Sequence, residues 1–221
     1  KITEKTRVSY PINYINNAVN LSVGKVPKNI FFLTDDAFGV LPLISKLTLS
    51  QAMYHFISGY TSKVAGTEEG VNEPKPTFSA CFGAPFMPLN PGMYAEMLGK
   101  KIKQHNVNAW LVNTGWSGGP YGTGNRIKLE YTRAMITAAL EGQLDKVVNH
   151  PHPIFTLMIP SCCPGIPSEI LNPQLTWKNK IAYTETANKL AGYFINNFKK
   201  YINHVSKEIV SASPEILNTK S

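Results

Sequence analysis

The chain lacks any apolar run near the ~18 residues that a membrane-spanning helix needs, which excludes a transmembrane helix read from hydropathy. Cysteine is scarce: the three residues are Cys81 and the adjacent Cys162 and Cys163, an odd number without C-x-x-C spacing. That excludes a disulfide framework and points to a reducing, intracellular compartment. Acidic residues are outnumbered, 14 against 22 Lys and Arg, for a formal charge of +8. The basic residues are dispersed, many along 178–207, as on a solvated helix face. With no zinc-finger, RRM or KH pattern, nucleic acid is the weakest partner class. No G-x-S-x-G elbow is present. The N-terminus, KITEKTRVSYPI, has no signal-peptide pattern and begins with Lys, so the chain is expected to begin inside a longer polypeptide.

What is abundant is glycine over 113–135, NTGWSGGPYGTGNRIKLEYTRAM. Five glycines fall within the ten residues from Gly115 to Gly124, an aromatic interrupts them, and Arg126 closes them. Glycine lets backbone amides approach a ligand closely, and a helix start directly after such a loop is a ready anion site. Gly119 and Gly124 have the glycine spacing of the Walker pattern G-x-x-x-x-G-K-[ST], but Asn125 and Arg126 follow instead of Lys and Ser/Thr. The lysine for the phosphates and the hydroxyl for magnesium are both missing. A planar guanidinium suits stacking on a base instead. An ordinary glycine-rich surface loop is the competing reading.

At 221 residues the chain is one or two domains with length for a real core. Residues 29–34 (NIFFLT) and 108–113 (NAWLVN) read as strands, and 153–159 (PIFTLMI) as a third. Thr48 with Gln51 has capping-box spacing, and Gly59 can end that helix. Asn90-Pro91 opens a helix reaching about Asn106. Residues 129–141 read as a helix stopped by Gly142, and 179–202 as a long C-terminal helix. Alternating strands and helices place the chain in the α/β or α+β class. Residues 58–77 are polar and aperiodic, as in a lid. The segment 206–221 is expected to fray.

Several side chains have two readings. Asp35-Asp36 follows a buried strand, where paired carboxylates could hold a divalent cation; without an upstream P-loop a turn is favoured. His150-Pro151-His152 lacks the ligands that would complete a metal site and reads as a loop before a strand. His55 reads as a core or boundary histidine, and Cys81 as a buried thiol. Arg7 could aim its guanidinium at a carboxylate or phosphate.

Five blocks resemble ATP-dependent phosphoenolpyruvate carboxykinase: TRVSYPI at 6–12, FFLTDDAFGVLP at 31–42, YTSKVAGTEEG at 60–70, PTFSACFGAPF at 76–86 and LVNTGWSGGPYGTGNRIKLEYTRAMI at 111–136. Their order and spacing match too, over residues 6–201, and the GTP-dependent form is not similar in these blocks. The resemblance covers the C-terminal part of that family, and it implies an α/β fold with a mixed-sheet mononucleotide-binding C-terminal domain over 1–205. The upstream half, with the P-loop, most oxaloacetate-binding groups and the ligands for Mg2+ and Mn2+, is absent from this chain. Arg7 matches the arginine that contacts the ATP γ-phosphate and the organic acid, a catalytic and substrate-binding role. Arg126 and Ile127 match the pair that holds adenine, and Thr132 the threonine that completes its pocket. Residues 60–77 resemble the mobile lid.

The implied activity is conversion of oxaloacetate and ATP to phosphoenolpyruvate, CO2 and ADP, a gluconeogenic reaction of the cytoplasm. The chain by itself is expected to be inactive and to need the upstream half as partner. The alternative is a non-enzymatic adenine-nucleotide-binding module.

Overall fold

The computed structural model describes residues 8–63, 71 and 73–217. In chain order the elements are β1 (Asn29–Thr34), β2 (Ile44–Leu47), α1 (Leu49–Ser58), β3 (Tyr60–Lys63), β4 (Lys75–Phe78), α2 (Pro91–His105), β5 (Asn108–Asn113), β6 (Trp116–Ser117), β7 (Asn125–Arg126), α3 (Leu129–Leu140), β8 (Asn149–Pro151), β9 (Met158–Pro160), α4 (Ser168–Leu171), α5 (Pro173–Thr176), α6 (Lys180–Phe198) and α7 (Lys207–Val210), with short 3-10 turns between some of them. This is a mixed α/β fold around one five-stranded sheet of order β1-β5-β2-β9-β8.

Strand β5 runs parallel to β1, with Asn29 opposite Asn108 and Thr34 opposite Asn113. On its other edge β5 pairs antiparallel with β2. Successive side chains of a strand point to opposite faces, and β5 divides its residues accordingly. Ala109 and Leu111 join a core with Ala52, Tyr54 and Ile57 of α1 and with Leu190, Ala191 and Phe194 of α6. Trp110 and Val112 join a second core with Met135, Ala138 and Ala139 of α3. Both faces of the strand are covered, which is why its sequence is almost continuously apolar.

Local chemistry sets the helix ends. The Thr48 side chain accepts from the Gln51 amide, and the Gln51 side chain accepts from the Thr48 amide, so the expected capping box is formed. Gly59 ends α1 in the left-handed region at φ 52°. Asn90 caps α2 by accepting from the Gly92 amide.

Three expectations are revised. The strand expected over 153–159 is reduced to β9, Met158–Pro160. The apolar residues before it turn back instead, because His152 Nδ1 accepts from the Ile154 and Phe155 amides at 3.1 and 3.2 Å, and Thr156 sits at φ 55°. The tail expected to fray from Ser206 is docked as far as Leu217. Ile209 and Ala212 are buried, the Glu215 amide donates to the Ile154 carbonyl, and Asn188 holds both the amide and the carbonyl of Leu217. Finally, the two ends of the expected lid are not aperiodic: β3 and β4 form an antiparallel hairpin with Tyr60 opposite Phe78. Residues 64–70 and 72, between those strands, lie outside the described residues, as do 218–221.

Candidate functional site

The glycine-rich segment leaves the C-terminal end of β5 and returns as a two-stranded ribbon, with Trp116 opposite Arg126 and Ser117 opposite Asn125. Its base is seated on the loop after β1. The Trp116 amide donates to the Asp36 carbonyl at 2.9 Å, and the Ile127 amide donates to the Gly115 carbonyl at 2.8 Å. Gly115 lies so close that a Cβ there would meet the Asp36 amide nitrogen and carbonyl oxygen at 2.3 Å, so no larger residue fits without moving the backbone. Asn113, fully buried, locks the junction: its Oδ1 accepts from the Asp36 and Gly115 amides, and its Nδ2 donates to the Leu41 carbonyl.

Asp36 explains why that loop keeps its shape. Its Oδ1 accepts from the Phe38 amide (2.9 Å) and the Tyr60 hydroxyl (3.0 Å), and its Oδ2 from the Val40 and Leu41 amides (2.8 and 2.9 Å). Burial pushes its carboxyl above the usual value, and these four donors pull in the opposite direction without cancelling that rise. The turn reading of Asp36 is therefore the one the geometry bears out.

Asp35, also buried, faces the ribbon. Its Oδ2 takes the Arg126 Nη2 at 2.8 Å. The same guanidinium lies 4.8 Å from the centre of the Trp116 ring, a cation–π distance. Arg126 remains 30% exposed at its side chain, and it opens onto a cleft of about 330 Å³. Leu43, Ile127, Tyr131 and Ile170 give the cleft apolar walls, while Ser117, Gly118, Asn125, Lys128 and Thr176 contribute polar groups. The Thr176 hydroxyl accepts from the Gly118 amide at 3.0 Å and donates to the Pro173 carbonyl at 2.7 Å, fastening the loop to α5.

Of the residues singled out from sequence, Arg126 and Ile127 line this cleft together. Thr132 is half-buried on the first turn of α3 and is not among the lining residues; its neighbour Tyr131 is. Arg7 lies outside the described residues. Gly124 serves the loop itself, since a Cβ there would strike the Gly119 carbonyl oxygen at 2.1 Å. Sequence reasoning missed Asp35 as the partner of Arg126, and it missed Lys128 and Tyr131, whose i, i+3 spacing at the start of α3 was the available signal. His150 and His152 do not meet. His152 is buried, with Nε2 2.6 Å from the Tyr183 hydroxyl, which in turn donates to the Val40 carbonyl. Burial lowers the pKa of both His152 and His55 to about 4, and burial raises the Cys81 thiol to about 11, as fits core residues.

No group of three His, Cys, Asp or Glu side chains able to hold a metal occurs among the described residues. Asp35 and Asp36 do not fit a cation: one is paired with Arg126, and the other has both oxygens engaged by four donors. Among the described residues no helix is long and apolar enough to cross a membrane.

The family model described as phosphoenolpyruvate carboxykinase matches residues 1–169. The chain belongs to the phosphoenolpyruvate carboxykinase family. Two relatives named phosphoenolpyruvate carboxykinase (ATP), from Christiangramia forsetii and Caldanaerobacter subterraneus, are each 62% identical to it, over 96% and 97% of this chain. The carboxykinase (ATP) of Fusobacterium nucleatum is 56% identical over 97% of the chain. The chain spans about 40% of the length of these relatives: 40%, 41% and 41% respectively. In this carboxykinase family member, the cleft beside Arg126 combines polar and apolar walls.

Proposed function

We propose that this chain is the mononucleotide-binding part of an ATP-dependent carboxykinase that converts oxaloacetate and ATP to phosphoenolpyruvate, CO2 and ADP. The observation that carries the reading is Arg126, whose guanidinium carbon lies 4.8 Å from the centre of the Trp116 ring and which lines a cleft with apolar walls. A planar cation over an apolar slot suits a purine better than a phosphate. Adenine enters beside Arg126 and Ile127, and the family resemblance adds Thr132 of α3, next to the lining residue Tyr131. The triphosphate then extends toward Arg7 and toward the upstream groups of the full-length protein.

The chemistry assigned to this chain is positioning and charge neutralisation. Oxaloacetate loses CO2 by breaking its C3–C4 bond, which leaves the enolate of pyruvate. The enolate oxygen attacks the γ-phosphorus, and ADP departs with the bonding pair. An always-ionised arginine at position 7 offsets the negative charge of the two approaching anions. Mg2+ and Mn2+ would be held by residues of the upstream half of the full-length protein and would neutralise charge on the phosphates.

Arg126→Ala in the full-length protein tests the adenine assignment. A group that binds the base equally in ground and transition states acts through KM. Loss of a desolvated cation–π partner is expected to weaken ATP by ~1–2 kcal/mol, read as a KM for ATP raised roughly tenfold at nearly constant kcat. A collapsed kcat with unchanged KM would place Arg126 at the phosphates instead.

Residues 60–77 are proposed as the lid that excludes water, which would otherwise protonate the enolate. Amide exchange across this segment is expected to slow when nucleotide and organic acid are both bound. Identical exchange with and without them would rule the lid out.

A further inference from the structure

We infer that Asp35 is the positioning residue of the nucleotide site, acting through Arg126 rather than on the ligand. This rests on the adenine reading of the cleft and adds what makes its arginine selective. An unrestrained arginine side chain loses considerable rotamer entropy when it is ordered by a ligand. Here three contacts order it beforehand. Backbone pairing sets Arg126 directly opposite Trp116. The centre of the indole ring lies 4.8 Å from the guanidinium carbon. The buried Asp35 carboxylate fixes its edge at 2.8 Å, a charge-assisted bond that limits rotation about the terminal torsions.

The carboxylate itself is held by backbone. It follows β1, whose Thr34 carbonyl accepts from the Thr114 amide and hydroxyl, so β1 and the start of the ribbon move as one piece. The consequence is a guanidinium whose position is set by indole and carboxylate before a base arrives. Asp35 shows 7% of its side chain to solvent, against 30% for Arg126. It is not among the residues lining the cleft. Its effect on the nucleotide therefore passes through the orientation of Arg126.

The test is steady-state kinetics of the full-length carboxykinase with ATP and, separately, CTP as varied substrates. Asp35→Asn is expected to raise KM for ATP about fivefold to tenfold, to leave kcat within about twofold, and to narrow the preference for ATP over CTP. In an Arg126→Ala background the same exchange is expected to change KM by less than about twofold, because the group it orients is gone. Asp35→Glu keeps the charge but displaces the carboxylate by one methylene, and its KM for ATP is expected to fall between those of the parent and Asp35→Asn. Should Asp35→Asn fail to fold, Asp35→Glu carries the test by the same comparison.

An elevated KM in Arg126→Ala with a parental KM in the Asp35 variants overturns this inference and leaves the adenine reading standing. Parental KM in Arg126→Ala as well overturns the adenine reading, and the inference with it. A lowered melting temperature with unchanged KM and unchanged nucleotide preference makes Asp35 merely structural and also overturns the inference.

Discussion

Exchanging Arg7 for Gln in the full-length protein is expected to lower kcat by on the order of 10²–10³, the usual effect of losing one preorganised donor aimed at developing charge. The expectation rests on the match of TRVSYPI to the family's anion-contacting arginine and on the chemistry of the step. Two anions, an enolate and a terminal phosphoryl group, must approach to bonding distance. Their mutual repulsion is greatest as they close to bonding distance, so a cation there acts on the barrier more than on binding. KM for ATP should move far less than kcat, the reverse of the pattern expected for Arg126→Ala. The measurement is initial rates of ADP formation with oxaloacetate saturating. The 221-residue chain alone serves as the zero, since it contains neither the Walker lysine nor its hydroxyl partner. A kcat for Arg7→Gln near the parental value would remove Arg7 from the site.

Acid is expected to unfold this protein through two buried imidazoles. His55 lies between Tyr54 and Phe194, and His152 accepts two amides at Nδ1 while its Nε2 meets Tyr183. Each has its pKa lowered from 6.5 to about 4, in both cases chiefly by burial. Above pH 6.5 neither the folded nor the unfolded chain protonates these rings, and the folded state keeps its full advantage. As pH falls from 6.5 toward 4 the unfolded chain binds protons that the folded chain refuses, so stability drops. Each histidine contributes a slope of about 1.4 kcal/mol per pH unit and a total of about 3 kcal/mol across the window. The loss from both is comparable to the whole stability of many domains. Thermal melts between pH 7 and 4 check this, with His55→Leu as the comparison, since it should flatten the slope by one proton. A melting temperature that is level across that range, or an unaltered slope in His55→Leu, would contradict the assignment.

Elements with a complete local signal were legible in the sequence. Strands β1 and β5 are continuous apolar runs, and α1 and α2 carry their own caps at Thr48 and Asn90. The segment 153–157 was misread because its apolar residues are buried in a turn, and burial leaves the same composition in a turn as in a strand. What bends the chain there is an imidazole two residues upstream, invisible to any periodicity. Arg126 and Ile127 were legible through the glycine loop and the family resemblance. Asp35 was not, because its partner lies 91 positions away and only the parallel pairing of β1 with β5 brings them together. The docked tail was missed for a related reason: Ile209, Val210 and Ala212 form a short apolar patch between polar residues, too brief to show a period, and their partners are helices formed earlier in the chain.

That same parallel pairing has a consequence during synthesis. Strands β1 and β2 follow one another in the chain yet never touch as partners; β5 sits between them. Until residue 113 has left the ribosome, both nascent strands present open hydrogen-bonding edges, with α1, the β3–β4 hairpin and α2 all made before β5 exists to join them. Non-local pairing of this kind slows folding, and unpaired edges invite contact with other chains. Strand β5 is inserted between two strands already made, so the interval before it appears is when those edges are most open to a chaperone.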